Sequence, residues 1–187
     1  GGHAAGEVAS AMAIQGIKSQ LSRDGLGEVT DPGSLDYERL MKQVVEDLNA
    51  EVRKGAEQPA TMGMGTTLTA ALILGPMVII SHVGDSRAYL FRSGRMQQLT
   101  QDHSWVAEEV ARGALIESQA REHPRRNILT RALGVSASVE VDTSASELEE
   151  GDVLLLCSDG LYGLVGDEEI ARTSTAFEPQ EACDVLV

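Results

Sequence analysis

Apolar runs that end in polar turns dominate the pattern of this chain. The run Val153-Leu154-Leu155-Leu156-Cys157 has no polar interruption, which predicts a central strand buried on both faces. It stops at Ser158-Asp159-Gly160, a polar turn that leaves a carboxylate at the strand's tip. A second copy of this pattern runs through Met77-Val78-Ile79-Ile80-Ser81-His82-Val83 to Gly84-Asp85. A further strand over 87–92 follows at once, with Ser93-Gly94 as its turn. Residues 66–74 form another strand candidate just upstream, and Val139 and Val141 alternate with Glu140 and Asp142 in a fifth over 138–148.

Helical spacing appears before and after these runs. Ala4, Ala5, Val8, Ala9, Met12 and Ala13 give an opening helix a face of small residues that can lie close to a sheet. Leu40, Val44, Leu48 and Val52 recur every four residues and predict a helix over 36–54, with Ser34 as its N-cap. Glycine, proline and aspartate mark 22–35 as loop. Shorter helices are expected over 105–112, capped by Ser104 or Asp102, over 167–173, and from Glu178 with Pro179 in the first turn. Two helices followed by strand–turn–strand–turn–strand imply antiparallel neighbours, hence an α+β fold.

Composition narrows the picture. At 187 residues the chain fits one domain, and 42% hydrophobic content with only 3% aromatics requires an aliphatic core. No apolar run approaches the ~20 residues that span a bilayer, and no secretory signal pattern opens the chain. Cys157 reads as a small core residue. It and Cys183 form no CxxC pair and have no histidine cluster, which argues against zinc and for a reducing, cytoplasmic setting. A formal net charge of −14 argues against nucleic acid. It would also repel a phosphorylated substrate, unless bound divalent cations reversed the local field.

Two features carry candidate chemistry. Asp85 and Asp159, each at a strand tip beside glycine, suit a hard, oxygen-loving cation such as Mg²⁺ or Mn²⁺, although Asp-Gly is also a common turn dipeptide. Arg121, His123, Arg125, Arg126 and Arg131 gather around Pro124 as the most basic segment. Such a loop either receives an anionic group or makes surface salt bridges.

Six stretches together go further. They are Gly-Gly-His-Ala-Ala-Gly-Glu-Val-Ala-Ser (1–10), Met-Gly-Thr-Thr (64–67), His-Val-Gly-Asp-Ser-Arg-Ala-Tyr-Leu (82–90), Leu-Thr-Gln-Asp-His-Ser (99–104), His-Pro-Arg-Arg-Asn-Ile-Leu-Thr-Arg-Ala-Leu-Gly (123–134) and Ser-Asp-Gly-Leu-Tyr-Gly-Leu-Val (158–165). In this order they resemble the motifs of bacterial metal-dependent protein phosphatases, the PPM or type 2C serine/threonine family. The resemblance covers nearly the whole chain. It implies two stacked antiparallel sheets with helices outside, an αββα sandwich, incomplete here at both ends. It also implies hydrolysis of phosphoserine and phosphothreonine in phosphoproteins, the products of serine/threonine kinases, by water activated on a pair of Mn²⁺ or Mg²⁺ ions.

By motif match, Asp159 resembles a ligand of the catalytic pair and Asp85 a ligand of a third, weaker site. Residues 105–130 resemble the flap beside the substrate groove, with Arg112, His123, Arg125 and Arg126 as substrate-selecting residues. His3 falls later than the family's proton-donating histidine, so it is expected to act as a cap or a support, with proton donation as the alternative. His82 and His103 are expected to be structural. The family's Asp-Gly-Met-Gly-Gly aspartate and its late Gly-Gly-x-Asp-Asn motif would fall outside residues 1–187, so little activity is expected of these residues alone. Two other readings compete: a non-catalytic phosphoprotein-binding or regulatory domain of the same fold, and a Ca²⁺ binder. The latter is weakened by the absence of a D-x-D-x-D-G loop.

Overall fold

A computed structural model describes residues 5–23 and 36–187. The loop predicted over 22–35 starts two residues late, because Ser22 and Arg23 still belong to the first helix; its remainder over 24–35, with Ser34, and His3 lie outside the described residues. Helices α1 (Gly6–Arg23) and α2 (Tyr37–Ala56) come first, followed by strands β1 (Leu68–Leu74), β2 (Met77–Val83), β3 (Arg87–Arg92) and β4 (Arg95–Gln98). Helices α3 (Trp105–Ala111) and α4 (Glu117–Glu122) precede β5 (Asp142–Glu147) and β6 (Val153–Cys157). The short α5 (Asp159–Tyr162), α6 (Asp167–Ala176) and α7 (Pro179–Leu186) complete the order.

Among the described residues the strands form two antiparallel sheets, β1-β2-β5 and β4-β3-β6. Alternation along β2 joins the layers. Ile79 packs against Tyr37 and Met41 of α2, while Val78 and Ile80 face the second sheet and meet Ala88 and Leu154. On the far side of that sheet Tyr89 and Phe91 pack on Ile170 of α6. The resulting order, helices, sheet, sheet, helices, is the predicted αββα sandwich. Helix α2 supplies most of the first interface, with Met41, Val44, Val45 and Leu48 all buried, each such side chain contributing about 1.5–3 kcal/mol relative to exposure.

Four local expectations need correction. Among the described residues strand β6 lies at the end of its sheet, pairing with β3, and it is not buried on both faces, since Leu156 is 43% exposed. An uninterrupted apolar run cannot distinguish a central strand from one at a sheet edge. Asp36 caps α2, its side chain accepting the Arg39 N–H at 3.0 Å, so Ser34 is not needed there. Ser158-Asp159-Gly160 opens a single turn of helix, α5, instead of a free turn. The strand candidate over 138–148 shrinks to Asp142–Glu147. The expected cap of α3 is Ser104, which accepts the Ala107 N–H at 3.3 Å.

Candidate functional site

Strand register decides where the two aspartates go. In the antiparallel β3–β6 pair Arg87 lies opposite Cys157. Asp85 stands two residues before the first and Asp159 two residues after the second, so both acids emerge at the same end of one ladder. Gly84 makes the turn between β2 and β3 with φ +112°. A Cβ there would fall 2.3 Å from the Thr67 Cγ2, so only glycine fits. Asp85 is half-buried and Asp159 exposed. Burial, then the neighbouring Asp159 and Asp102 charges, push the Asp85 carboxyl up to about 6.

Three residues brace this pair; from sequence only Asp102 had a role, as an alternative cap of the helix over 105–112, and Arg87 and Tyr162 had none. Arg87 grips Asp102 with both prongs, Nε to Oδ1 at 2.9 Å and Nη2 to Oδ2 at 2.7 Å. Burial works against the guanidinium charge, but the Asp102 contact outweighs it and raises the Arg87 pKa. The same guanidinium lies 3.7 Å above the centre of the Tyr162 ring. Tyr162 in turn donates its hydroxyl to the Asp85 backbone carbonyl at 2.8 Å. The sequence hints were spacing, Arg87 following Asp85 by two residues and Tyr162 following Asp159 by three, and the place of all three residues within the stretches 82–90, 99–104 and 158–165.

A second polar cluster holds the turn through its backbone. The Gly84 N–H donates to His103 Nδ1 at 3.1 Å, and the His103 N–H donates to the Gly84 carbonyl at 2.7 Å. Because Nδ1 accepts, the His103 proton sits on Nε2, facing Asp142 Oδ2 at 3.1 Å. Arg131 reaches Asp142 Oδ1 at 2.7 Å and Glu140 at 2.7 Å. His82 is buried beside His103, its ring nitrogens 2.9 Å from Thr69 Oγ1 and 3.0 Å from the Gln101 carbonyl. Both histidines are therefore structural, as expected. Burial, then the His103 charge, lower the His82 pKa to about 4.

The segment predicted as flap divides its cations. Arg112 pairs with Glu108 and Glu109 of its own helix, and Arg121 reaches Asp167 of α6 at 3.4 Å. His123 packs on Trp105 with ring centres 4.9 Å apart, and Arg125 lies over the same indole at 5.1 Å. Arg126 is exposed and makes no ion pair among the described residues. The base of the segment is pinned where the Trp105 N–H meets the Ile128 carbonyl and the Thr130 N–H meets the His103 carbonyl, at 2.8 and 2.9 Å.

Could the acidic pair hold a cation? Asp85, half-buried, pushed up by burial and by the neighbouring Asp159 charge, and without an ion-pair partner of its own among the described residues, is a donor whose charge a hard divalent ion would relieve. Arg87 does not fill that role, since Asp102 already occupies it. Among the described residues no group of three or more His, Cys, Asp or Glu side chains surrounds a common point. Two clefts, of about 400 and 460 Å³, lie elsewhere; Thr130 and Arg131 line the first, and His82 and Asp142 the second.

Comparison with known proteins places the arrangement. The family signature of protein phosphatase 2C matches residues 1–183. The serine/threonine phosphatase stp of Listeria innocua is 43% identical over 191 residues, covering all of this chain and 73% of that protein. Stp1 of Staphylococcus aureus superposes with a TM-score of 0.90 at 35% identity, covering 100% of this chain and 72% of the other. The catalytic domain of the serine/threonine protein phosphatase PstP, in complex with two manganese ions, gives a TM-score of 0.83 at 35% identity, covering 100% and 75%.

Proposed function

Because the chain belongs to the protein phosphatase 2C family, we propose that it hydrolyses phosphoserine and phosphothreonine in phosphoproteins, using Mn²⁺ or Mg²⁺ held in part by Asp85 and Asp159. The observation that carries this reading is the β3–β6 register, which delivers both acids to one ladder end. The manganese ions of the PstP catalytic domain and the phosphatase names of the relatives favour catalysis over a non-catalytic binding domain.

A bound cation would supply Lewis-acid neutralisation of the phosphoryl oxygens and lower the pKa of water. The chain's own residues define what surrounds it. Asp85 and Asp159 offer hard oxygen donors, while Asp102 engages Arg87 and so keeps the guanidinium from neutralising Asp85. Exposed Arg125 and Arg126 offer positive charge to an anionic phosphopeptide. Burial raises the Cys157 thiol above its ordinary range, which disfavours a thiolate nucleophile there.

We place the substrates among the products of serine/threonine kinases, within signalling, and the protein in the cytoplasm. No helix among the described residues is long and apolar enough to cross a membrane. Phosphate release from a phosphothreonine peptide, titrated with MnCl₂ and then with chelator, tests the function. Release that needs the metal and collapses in D159N is the expected result; metal-independent release would contradict it.

A further inference from the structure

Register brings the turns carrying Asp85 and Asp159 to one edge, but it does not fix how far apart the two carboxylates stand. Asp85 sits in a loop between strands, and Asp159 on a helix of one turn. One side chain links the two directly. Tyr162 lies three residues after Asp159 in α5, and its hydroxyl reaches across to the Asp85 main chain at 2.8 Å. Its ring is held flat by the Arg87 guanidinium, itself fixed by Asp102 and by a 2.9 Å bond to the Tyr89 hydroxyl.

We propose that Tyr162, braced by Arg87, is a positioning residue that sets the spacing of Asp85 and Asp159 and thereby the divalent-cation affinity of the pair. The proposal rests on the reading of these aspartates as metal ligands. Tyr162 is suited to the task. Its hydroxyl stays protonated and able to donate, because burial and the charges of Asp102 and Asp85 raise its pKa. A phenol spans the gap between α5 and the Asp85 loop as a rigid strut with two side-chain torsions, so little entropy is lost in holding it. The hydrogen bond goes to the backbone of residue 85, which leaves the carboxylate of Asp85 free to bind.

The test is isothermal titration of MnCl₂ into wild type, Y162F, R87K and D85N. Y162F keeps the ring under Arg87 and deletes only the hydroxyl. Loss of one hydrogen bond predicts an Mn²⁺ Kd weakened about five-fold at the site that D85N removes. R87K, which cannot grip Asp102 with two prongs or stack flat on the ring, is expected to weaken it about two- to three-fold. A general loss of folding would lower the number of sites per chain and leave the Kd of the remainder unchanged, so stoichiometry separates positioning from simple instability. Unchanged Kd in both Y162F and R87K, with binding abolished in D85N, would overturn the strut and leave the metal site standing. Unchanged binding in D85N would overturn the metal-site reading itself, and the strut with it.

Discussion

Two polar clusters grip the same Gly84-Asp85 turn, and they do so by different physics. One is the buried pair His82 and His103, at 1% and 5% exposure, in which burial keeps His82 uncharged while a ring nitrogen and the backbone amide of His103 hold Gly84. The other is Arg87, Asp102 and Tyr162, which uses a two-pronged ion pair, a stacked guanidinium and a phenol. Around the neutral His82, this cluster holds the turn through its backbone. The charged cluster pairs Arg87 with Asp102, so the Arg87 charge only partly offsets the burial and the Asp159 and Asp102 charges that push the Asp85 carboxyl up. Rigidity and electrostatic frustration are thus supplied to one turn from separate sources, and they can be perturbed separately.

The largest expected effect comes from removing the frustrated charge itself. D159N or D85N should lower metal-dependent turnover on the order of 100-fold or more, measured as kcat/KM on a phosphopeptide. With no divalent ion present, D85N should instead raise stability, by about 1 kcal/mol after allowing for solvent screening at a half-exposed site. Chemical denaturation in chelator reads that sign reversal.

Next comes the turn on which both clusters act. G84A forces a Cβ into Thr67 at 2.3 Å and an L residue to φ +112°, so a loss of about 3 kcal/mol or more is expected in the same denaturation assay.

The neutral cluster should announce itself in acid. The folded protein keeps His82 uncharged down to about pH 4, whereas an unfolded imidazole takes its proton near 6.5. Between those values the unfolded state binds more protons, so stability falls as pH drops from 6.5 to 4 and is fully present above 6.5. The shift corresponds to about 3 kcal/mol. H82N should flatten this slope, because asparagine has no proton to gain. Smallest of all, R112A removes only exposed pairs with Glu108 and Glu109 and should cost under about 0.5 kcal/mol.

Much of this was legible before the structure. The strands over 77–83 and 87–92 follow from apolar runs and turn residues, because local patterning governs them. Asp85 and Asp159 were legible as strand-tip acids for the same reason. Strand β6 shows where the method stops: Leu154 to Leu156 are as apolar as any central strand, but edge or centre is decided by which strands pair, a long-range property. The Tyr162 strut and the Arg87–Asp102 grip were invisible for the same cause, since residues 77 and 15 positions apart meet only through folding. His103 was readable as structural, but its clasp on Gly84 was not. Ser104 was readable as a cap because capping is local.

The most direct test of the central claim is a double-mutant cycle in Mn²⁺ affinity, comparing wild type, D85N, D159N and the double variant by titration calorimetry. If the two acids share a cation, the losses are non-additive and the double variant is little worse than the weaker single one. Losses that simply add, or a single variant that binds as wild type does, would mean that the two carboxylates share a ladder end without sharing an ion.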